Sequence, residues 1–278
     1  MSERGCEPVR RTPFELVFVD GGHEAERLPA IAREAESRGI DVAQPERLLL
    51  LEGAGELLRA LRPADERGTG CTGEYGALVF HGFHFWRAGR PLFQMAAGAL
   101  RALLSAPSPV GEWRLEAPAG SGYLQLPRHL VWVPGGENGP PEPADGFFWT
   151  LAPGVGGAEA RLLLALVLGV RPDRPGFGVI AIDAALPPPP VAHWADVQAR
   201  EDGQDFANVL PGGEIEGLFA LTSIAEALRL ASLVFRFAAT PAGAPGPEER
   251  TADGSGESPH ALPPTTLSYR RITGATDG

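Results

Sequence analysis

The sequence contains no lysine: all 24 side chains in its Lys+Arg total are arginine. This absence excludes chemistry built on a lysine amine, including Schiff-base linkage to pyridoxal phosphate and the phosphate-binding lysine of a P-loop. It also leaves no side-chain amine open to acylation or isopeptide linkage. Two origins fit. One is a chain selected to escape lysine-directed modification; the other is a GC-rich genome, whose codons favour the Arg, Ala, Gly and Pro abundant here. Composition alone supplies no mechanism in favour of the first. Cysteine is nearly as scarce. Cys6 and Cys71 lie outside any C-x-x-C pattern and away from a histidine at metal-ligand spacing, so neither a disulfide framework nor a zinc site is expected.

Long apolar runs are missing too. The longest candidate, Leu162 to Val170, is about half of the roughly 18 to 20 residues that a membrane-spanning helix needs. Met1 to Thr12 is polar and mixed in charge, without the apolar stretch of a secretory signal. Both features point to a soluble, cytoplasmic chain. The net charge of -11 argues against broad attraction to nucleic acid or anionic lipid, which calls for clustered basic residues. The sequence also lacks a G-x-G-x-x-G after a strand, a G-x-S-x-G, an H-E-x-x-H and an EF-hand pattern.

What is present is a chain of 278 residues, 44% hydrophobic, large enough to bury a sizeable core. Phe14 to Val19 is a β-branched and aromatic run closed by Asp20-Gly21-Gly22, the pattern of a strand and turn. From Glu24 to Ser37, Leu28, Ile31, Ala32 and Ala35 give a one-sided helix stopped at Gly39. A short apolar segment, Leu48 to Leu51, precedes a second helix over Gly53 to Leu61. Tyr75 to Trp86 reads as a strand, and Pro91 to Leu104 as a helix led by proline. Trp113 to Leu115, Gly122 to Leu126, His129 to Val133 and Phe147 to Leu151 read as a meander of short strands.

Arg161 to Val170 and Phe177 to Asp183 read as two antiparallel strands. Pro187 to Pro190 reads as a stiff spacer. Glu214 to Arg236 carries one apolar face of a long helix. Residues 1–12 are expected to form a flexible leader and residues 13–240 a single globular domain, with a possible sub-division near 105–112. The Pro/Gly/Ser-rich residues 241–278 are expected to be a mostly disordered tail; within it Thr265 to Ile272 could add an edge strand. Helices lead and a meander follows, so the fold class is α+β: a largely antiparallel or mixed sheet with packed helices and an α/β-like N-terminal portion.

Two predicted strands end in an aspartate, Asp20 and Asp183, and strand ends open into the crevices where α/β proteins bind ligands. Two carboxylates meeting there could hold Mg²⁺ or Mn²⁺ and activate water, with His23 as proton carrier. Asp-Gly is also a common turn, and Asp before a helix caps it. Val17-Phe-Val-Asp-Gly-Gly-His23 resembles a strand-to-loop fragment of class I methyltransferases, whose Gly-rich cofactor loop has no counterpart in residues 1–16. A strand ending in Asp-Gly-Gly with a later strand ending in Asp is similar to NurA-like nucleases, whose other acidic residues find no match here. His81-Gly-Phe-His84 is a second cluster; on a strand its imidazoles would face opposite ways, as structural histidines among aromatics. Finally, Pro140 to Trp149 sets an acidic, proline-rich loop before an aromatic strand. Asp145, Phe147, Phe148 and Trp149 are there either a partner-binding surface or part of a tryptophan-rich core.

Two functions follow. One is a non-catalytic subunit or adaptor of an intracellular protein assembly, needing no cofactor and binding a protein partner or its own copies through aromatic and Pro-rich loops. The alternative is a Mg²⁺- or Mn²⁺-dependent hydrolase, nuclease or phosphodiesterase-like, using Asp20, Asp183 and His23, the only reading under which nucleic acid is an expected partner.

Overall fold

The computed structural model describes residues 10–62, 72–105, 117–134, 141–153, 161–169, 177–184, 195–196, 219–239, 246–249 and 268–272. Both cysteines, Trp113 to Leu115, the spacer Pro187 to Pro190 and all but the first residue of the sub-division near 105–112 fall outside these residues.

The described chain opens with a helix, against the strand expected over Phe14 to Val19. Thr12 and Glu15 cap it reciprocally. The Glu15 backbone N–H donates to Thr12 Oγ1 at 3.2 Å, and the Thr12 N–H donates to Glu15 Oε2 at 2.7 Å. This is a capping box with Pro13 at the first helical position, where its missing donor costs nothing. The helix widens into a π turn over Glu15–Val19, closed by the Asp20 N–H donating to the Glu15 carbonyl. Local β propensity is therefore overridden by a helix-start signal four residues long.

Four helices follow: α1 (His23–Arg38), α2 (Pro45–Leu48), α3 (Glu52–Leu61) and α4 (Thr72–Arg87). Helix α1 covers the segment expected for it, Gly39 closing it with a left-handed φ of 59°. Glu34 of α1 accepts from the backbone N–H groups of Glu52 and Gly53 at 2.9 and 3.0 Å, so a carboxylate of one helix caps the next. Its pKa is lowered, first by the bond from Gly53.

Helix α4 corrects a second expectation, for Tyr75 to Trp86 is helical. Leu78, Val79, Phe80, His81, Gly82, Phe83 and Phe85 are all buried. The helix touches α1, α2 and α3 on one side and the sheet on the other. A helix covered all round has no polar face, so its 3.6-residue period disappears from the sequence.

Next come β1 (Leu92–Met95) and α5 (Ala97–Ser105); the helix expected from Pro91 is thus a strand followed by a later helix. Then follow β2 (Ser121–Gln125), β3 (Val131–Val133), β4 (Glu142–Ala152), β5 (Arg161–Leu168), β6 (Gly178–Ala184), β7 (Ala195–Asp196) and β8 (Phe219–Ala220). Helix α6 (Ile224–Ala238) and strands β9 (Gly246–Glu249) and β10 (Ser268–Ile272) complete the described elements. Helix α6 starts at a second capping box, Ser223 with Glu226, about ten residues later than its apolar periodicity suggested. Strand β10 is no edge: it lies between β1 and β9. Strands β9 and β10 both fall in the segment expected to be mostly disordered.

The fold is α+β with a mixed sheet. Its main path runs β9-β10-β1-β2-β4-β5-β6; β3, β8 and β7 branch from the start of β4. Strand β1 is parallel to β2 and β10, whereas β2, β4, β5 and β6 are successively antiparallel. Along β5 the side chains alternate between two cores. Leu162, Leu164, Leu166 and Leu168 meet α5 and α6, and Leu163, Ala165 and Val167 meet the N-terminal helices. Helices therefore cover both faces, which is why this antiparallel strand reads as an unbroken apolar run.

Packing between the helices is close at Gly82 of α4. A Cβ there would lie 2.4 Å from Cζ of Phe18, whose ring is fully buried. Alanine normally favours a helix over glycine by about 1 kcal/mol, but overpacking costs about 1 to 3 kcal/mol. We expect Gly82→Ala to lower stability in urea denaturation, and Phe18→Leu to return part of the loss in the double variant. Strictly additive effects would show that the two positions are not in contact.

Candidate functional site

The densest cluster of buried polar groups lies at a β-bulge in β4. The register against β5 slips between Ala144 and Gly146, so Asp145 is an extra residue on β4. Bulges re-aim side chains, and here the carboxylate is turned into the protein. Asp145 Oδ2 accepts from the Tyr123 hydroxyl at 2.6 Å, and Oδ1 accepts from Arg10 at 2.9 and 3.2 Å. Arg10 also donates to the Leu126 carbonyl at 2.8 Å. Its backbone N–H donates to Gln125 Oε1 at 2.9 Å, and Gln125 Nε2 donates back to the Arg10 carbonyl. Gly146 makes the cluster possible: a Cβ there would lie 2.6 Å from the Tyr123 hydroxyl oxygen and 2.1 Å from the Leu124 carbonyl oxygen.

Burial raises the Tyr123 hydroxyl well above its ordinary pKa, and the Asp145 charge and hydrogen bond raise it further. The phenol is thus a fixed donor. A buried carboxylate held by a guanidinium and a phenol satisfies the rule that buried charges are paired. The arrangement ties residue 10 to the middle of the sheet, so the leader expected over residues 1–12 is anchored at least from Arg10.

A second cluster lies between α4 and the sheet. His81 Nδ1 and Thr150 Oγ1 are 3.0 Å apart, and Thr150 Oγ1 and Ser121 Oγ are 3.3 Å apart. All three residues are buried. Burial lowers the pKa of His81 to about 3, with a further contribution from His84. His84 Nε2–H donates to the Val42 carbonyl at 2.9 Å; a carbonyl only accepts, so that nitrogen carries the proton. Its pKa is also lowered, first by burial. The two imidazoles share a helix rather than a strand, and each is engaged by a different partner.

Asp20 ends the π turn rather than a strand, and it pairs with Arg11. Asp183 lies on β6 as expected and pairs with Arg161, whose Nε donates to Asp183 Oδ1 at 3.0 Å. Arg161 reaches Gln44 as well. The premise of two carboxylates at two strand ends therefore fails at Asp20. His23 is the first residue of α1; burial, and then Arg27, lowers its pKa. Among the described residues no group of three or more His, Cys, Asp or Glu is placed to hold a metal ion.

The aromatic strand is interior. Phe148 packs with Tyr123 and Phe85 on one face of the sheet, and Phe147 and Trp149 meet Phe235 of α6 on the other. All three residues are almost fully buried. The Trp149 Nε1–H donates to the Ala119 carbonyl. Asp145, Phe147, Phe148 and Trp149 thus form core, and Ala-Asp-Gly at the head of the aromatic run sits at a bulge. Arg10, Tyr123 and Gln125 carried no signal in the sequence.

No family model matches the sequence. No curated protein matches it either. Among solved structures, the crystal structure of AcrVA2 superposes with a TM-score of 0.44 at 10% identity, covering 93% of this chain and 82% of that one. Nothing functional is built on a likeness at that level. No helix among the described residues is long and apolar enough to cross a membrane.

Two outcomes follow from these clusters. Asp145→Ala leaves Arg10 and Tyr123 without their shared acceptor, and we expect a loss of about 3 to 5 kcal/mol in urea denaturation. A loss under about 1 kcal/mol, the range of surface pairs, would mean that the network is wet. For His81 the folded pKa of about 3 lies below the ordinary value of 6.5. Its contribution to stability is complete above pH 6.5 and is lost as pH falls toward 3, by at most about 1.4 kcal/mol per pH unit for one proton. Denaturation midpoints measured from pH 7 to 4 should fall less steeply in His81→Gln than in the wild type; parallel curves would exclude His81 as the titrating group.

Proposed function

We propose that this chain works by binding another protein and carries out no reaction itself. What supports the reading is the occupation of its ionisable groups. Asp20 and Asp183 are paired with arginines, Asp145 with Arg10 and Tyr123, and His81 and His84 are held inside by Thr150 and the Val42 carbonyl. A general acid or base has to reach a substrate proton and exchange it, whereas these groups bond the fold to itself. Among the candidate groups within the described residues, His23 is the exception. Burial, and then Arg27, lowers its pKa, and it is the side chain to watch in a catalytic alternative.

The aromatic stretch of β4 is buried, which argues for a binding surface elsewhere. Among the described residues, the large apolar side chains that face solvent are Leu50 in the turn before α3, Ile180 on β6 and Ile224 at the start of α6; these are places where a partner would gain apolar contact.

The alternative, a divalent-metal hydrolase using Asp20, Asp183 and His23, is separated by one experiment. A specific site at about 100 times its dissociation constant stabilises a fold by roughly 2.7 kcal/mol. We expect thermal melts with Mg²⁺ or Mn²⁺ to leave the wild type unshifted. A shift that Asp20→Ala or Asp183→Ala abolishes would overturn the binding-only reading and direct work to hydrolase assays.

A further inference from the structure

Among the described residues the sheet ends in three strands, and only one of them lacks protection. Strand β7 has two residues, too short to template a partner. Strand β9 reads Gly-Pro-Glu-Glu: Pro247 has no backbone donor, and Glu248 and Glu249 bring charge. Shortness, proline and charge are the usual means by which edges avoid pairing. Strand β6 has none of these. It spans Gly178–Ala184, and its register with β5 is unbroken from Leu168↔Gly178 to Leu162↔Ala184. It contains no proline and no bulge, and its one charge, Asp183, is neutralised by Arg161. Val179 and Ile182 are buried against the two cores, while Ile180 is 36% exposed and Ala181 is exposed as well.

We propose that β6 pairs antiparallel with β6 of a second copy of this chain, continuing the sheet across a two-fold axis near Ala181. The argument for a second copy is complementarity. An unguarded edge needs an unguarded strand, and an identical β6 supplies one without any other partner. About a two-fold at Ala181, Ile180 meets the partner's Ile182, on the face that the register assigns to Leu164 and Leu166. Apolar cross-strand pairs of this kind stabilise a sheet. Asp183 stands opposite the partner's Val179, so no like charges face one another, even though the chain carries -11 overall. A two-fold interface of this type is isologous, the commonest form of assembly. The inference goes beyond the function proposed above: it gives Ile180, one of the exposed side chains named there, to a second copy of the chain.

Sedimentation velocity over a concentration series tests it, on the full chain and on Ile180→Arg and Ala181→Arg. Both positions are exposed, so each variant should keep the far-UV circular dichroism and melting of the wild type. The expected result is a dimer that both arginines convert to monomer. A second readout does not depend on how the arginines are tolerated. In a Cys6→Ser, Cys71→Ser background, Ala181→Cys should be joined into covalent dimers by a short thiol-specific cross-linker, and Leu50→Cys should not. A monomeric wild type overturns the proposal, as does a dimer indifferent to both arginines or cross-linking equal at the two cysteines. A monomer that takes an added apolar strand peptide onto β6 would overturn self-pairing in favour of a different occupant.

Discussion

Strand β5 is apolar at every position from Leu162 to Leu168, and a strand of that kind has to be covered on both faces. The requirement organises the molecule. One face takes α5 and α6, and the other takes α4 backed by α1, α3 and the opening π turn. Burying a leucine is worth about 1.5 to 3 kcal/mol relative to exposure, and β5 alone places five leucines inside. No surface ion pair described here, such as Arg11 with Asp20 or Arg27 with Glu56, competes with that; exposed pairs contribute at most about 1 kcal/mol. The sheet's central strands therefore dictate where the helices go.

The same constraint explains the polar interior. Once both faces of the sheet are dry, any polar group on β2 or β4 needs a partner inside, because an unpaired one costs about 1 to 3 kcal/mol. Ser121, Thr150 and His81 satisfy one another on the α4 side. Tyr123, Asp145, Gln125 and Arg10 do so at the bulge. Both groups sit beside glycines or small residues that let aromatic rings approach, and both link distant parts of the chain. Their chemistry is used for orientation, which is why acidic and aromatic residues that look reactive in the sequence turn out to hold the fold.

Which features could be read from the sequence depends on how each element is exposed. Helix α1 has a wet face and a dry face, so Leu28, Ile31 and Ala35 announced it; β5 and β6 were marked by length and by the break between them. Helix α4 has no wet face and looked like a strand. The opening turn and the start of α6 were misplaced for a different reason. Both begin with a hydroxyl residue followed three positions later by glutamate, Thr12 with Glu15 and Ser223 with Glu226, and this local signal outweighs the propensity of the residues beside it. The Asp145 cluster was not legible. Asp145 read as part of an acidic, proline-rich loop before an aromatic strand, and nothing in the polar N-terminal segment announced that Arg10 would reach a residue 135 positions away.

That separation has a consequence during synthesis. The helices that pack around α4 leave the ribosome well before β2, β4, β5 and β6, the strands that cover the remaining side of α4. Until those strands emerge, Phe80, Phe83 and Phe85 have no sheet to rest on, and Arg10 has no carboxylate. Contacts so far apart in sequence form late and slowly, and exposed apolar surface in the interval invites association with other nascent chains. The other face of the sheet waits longer still, because α6 and the β1 partner β10 lie C-terminal to β6.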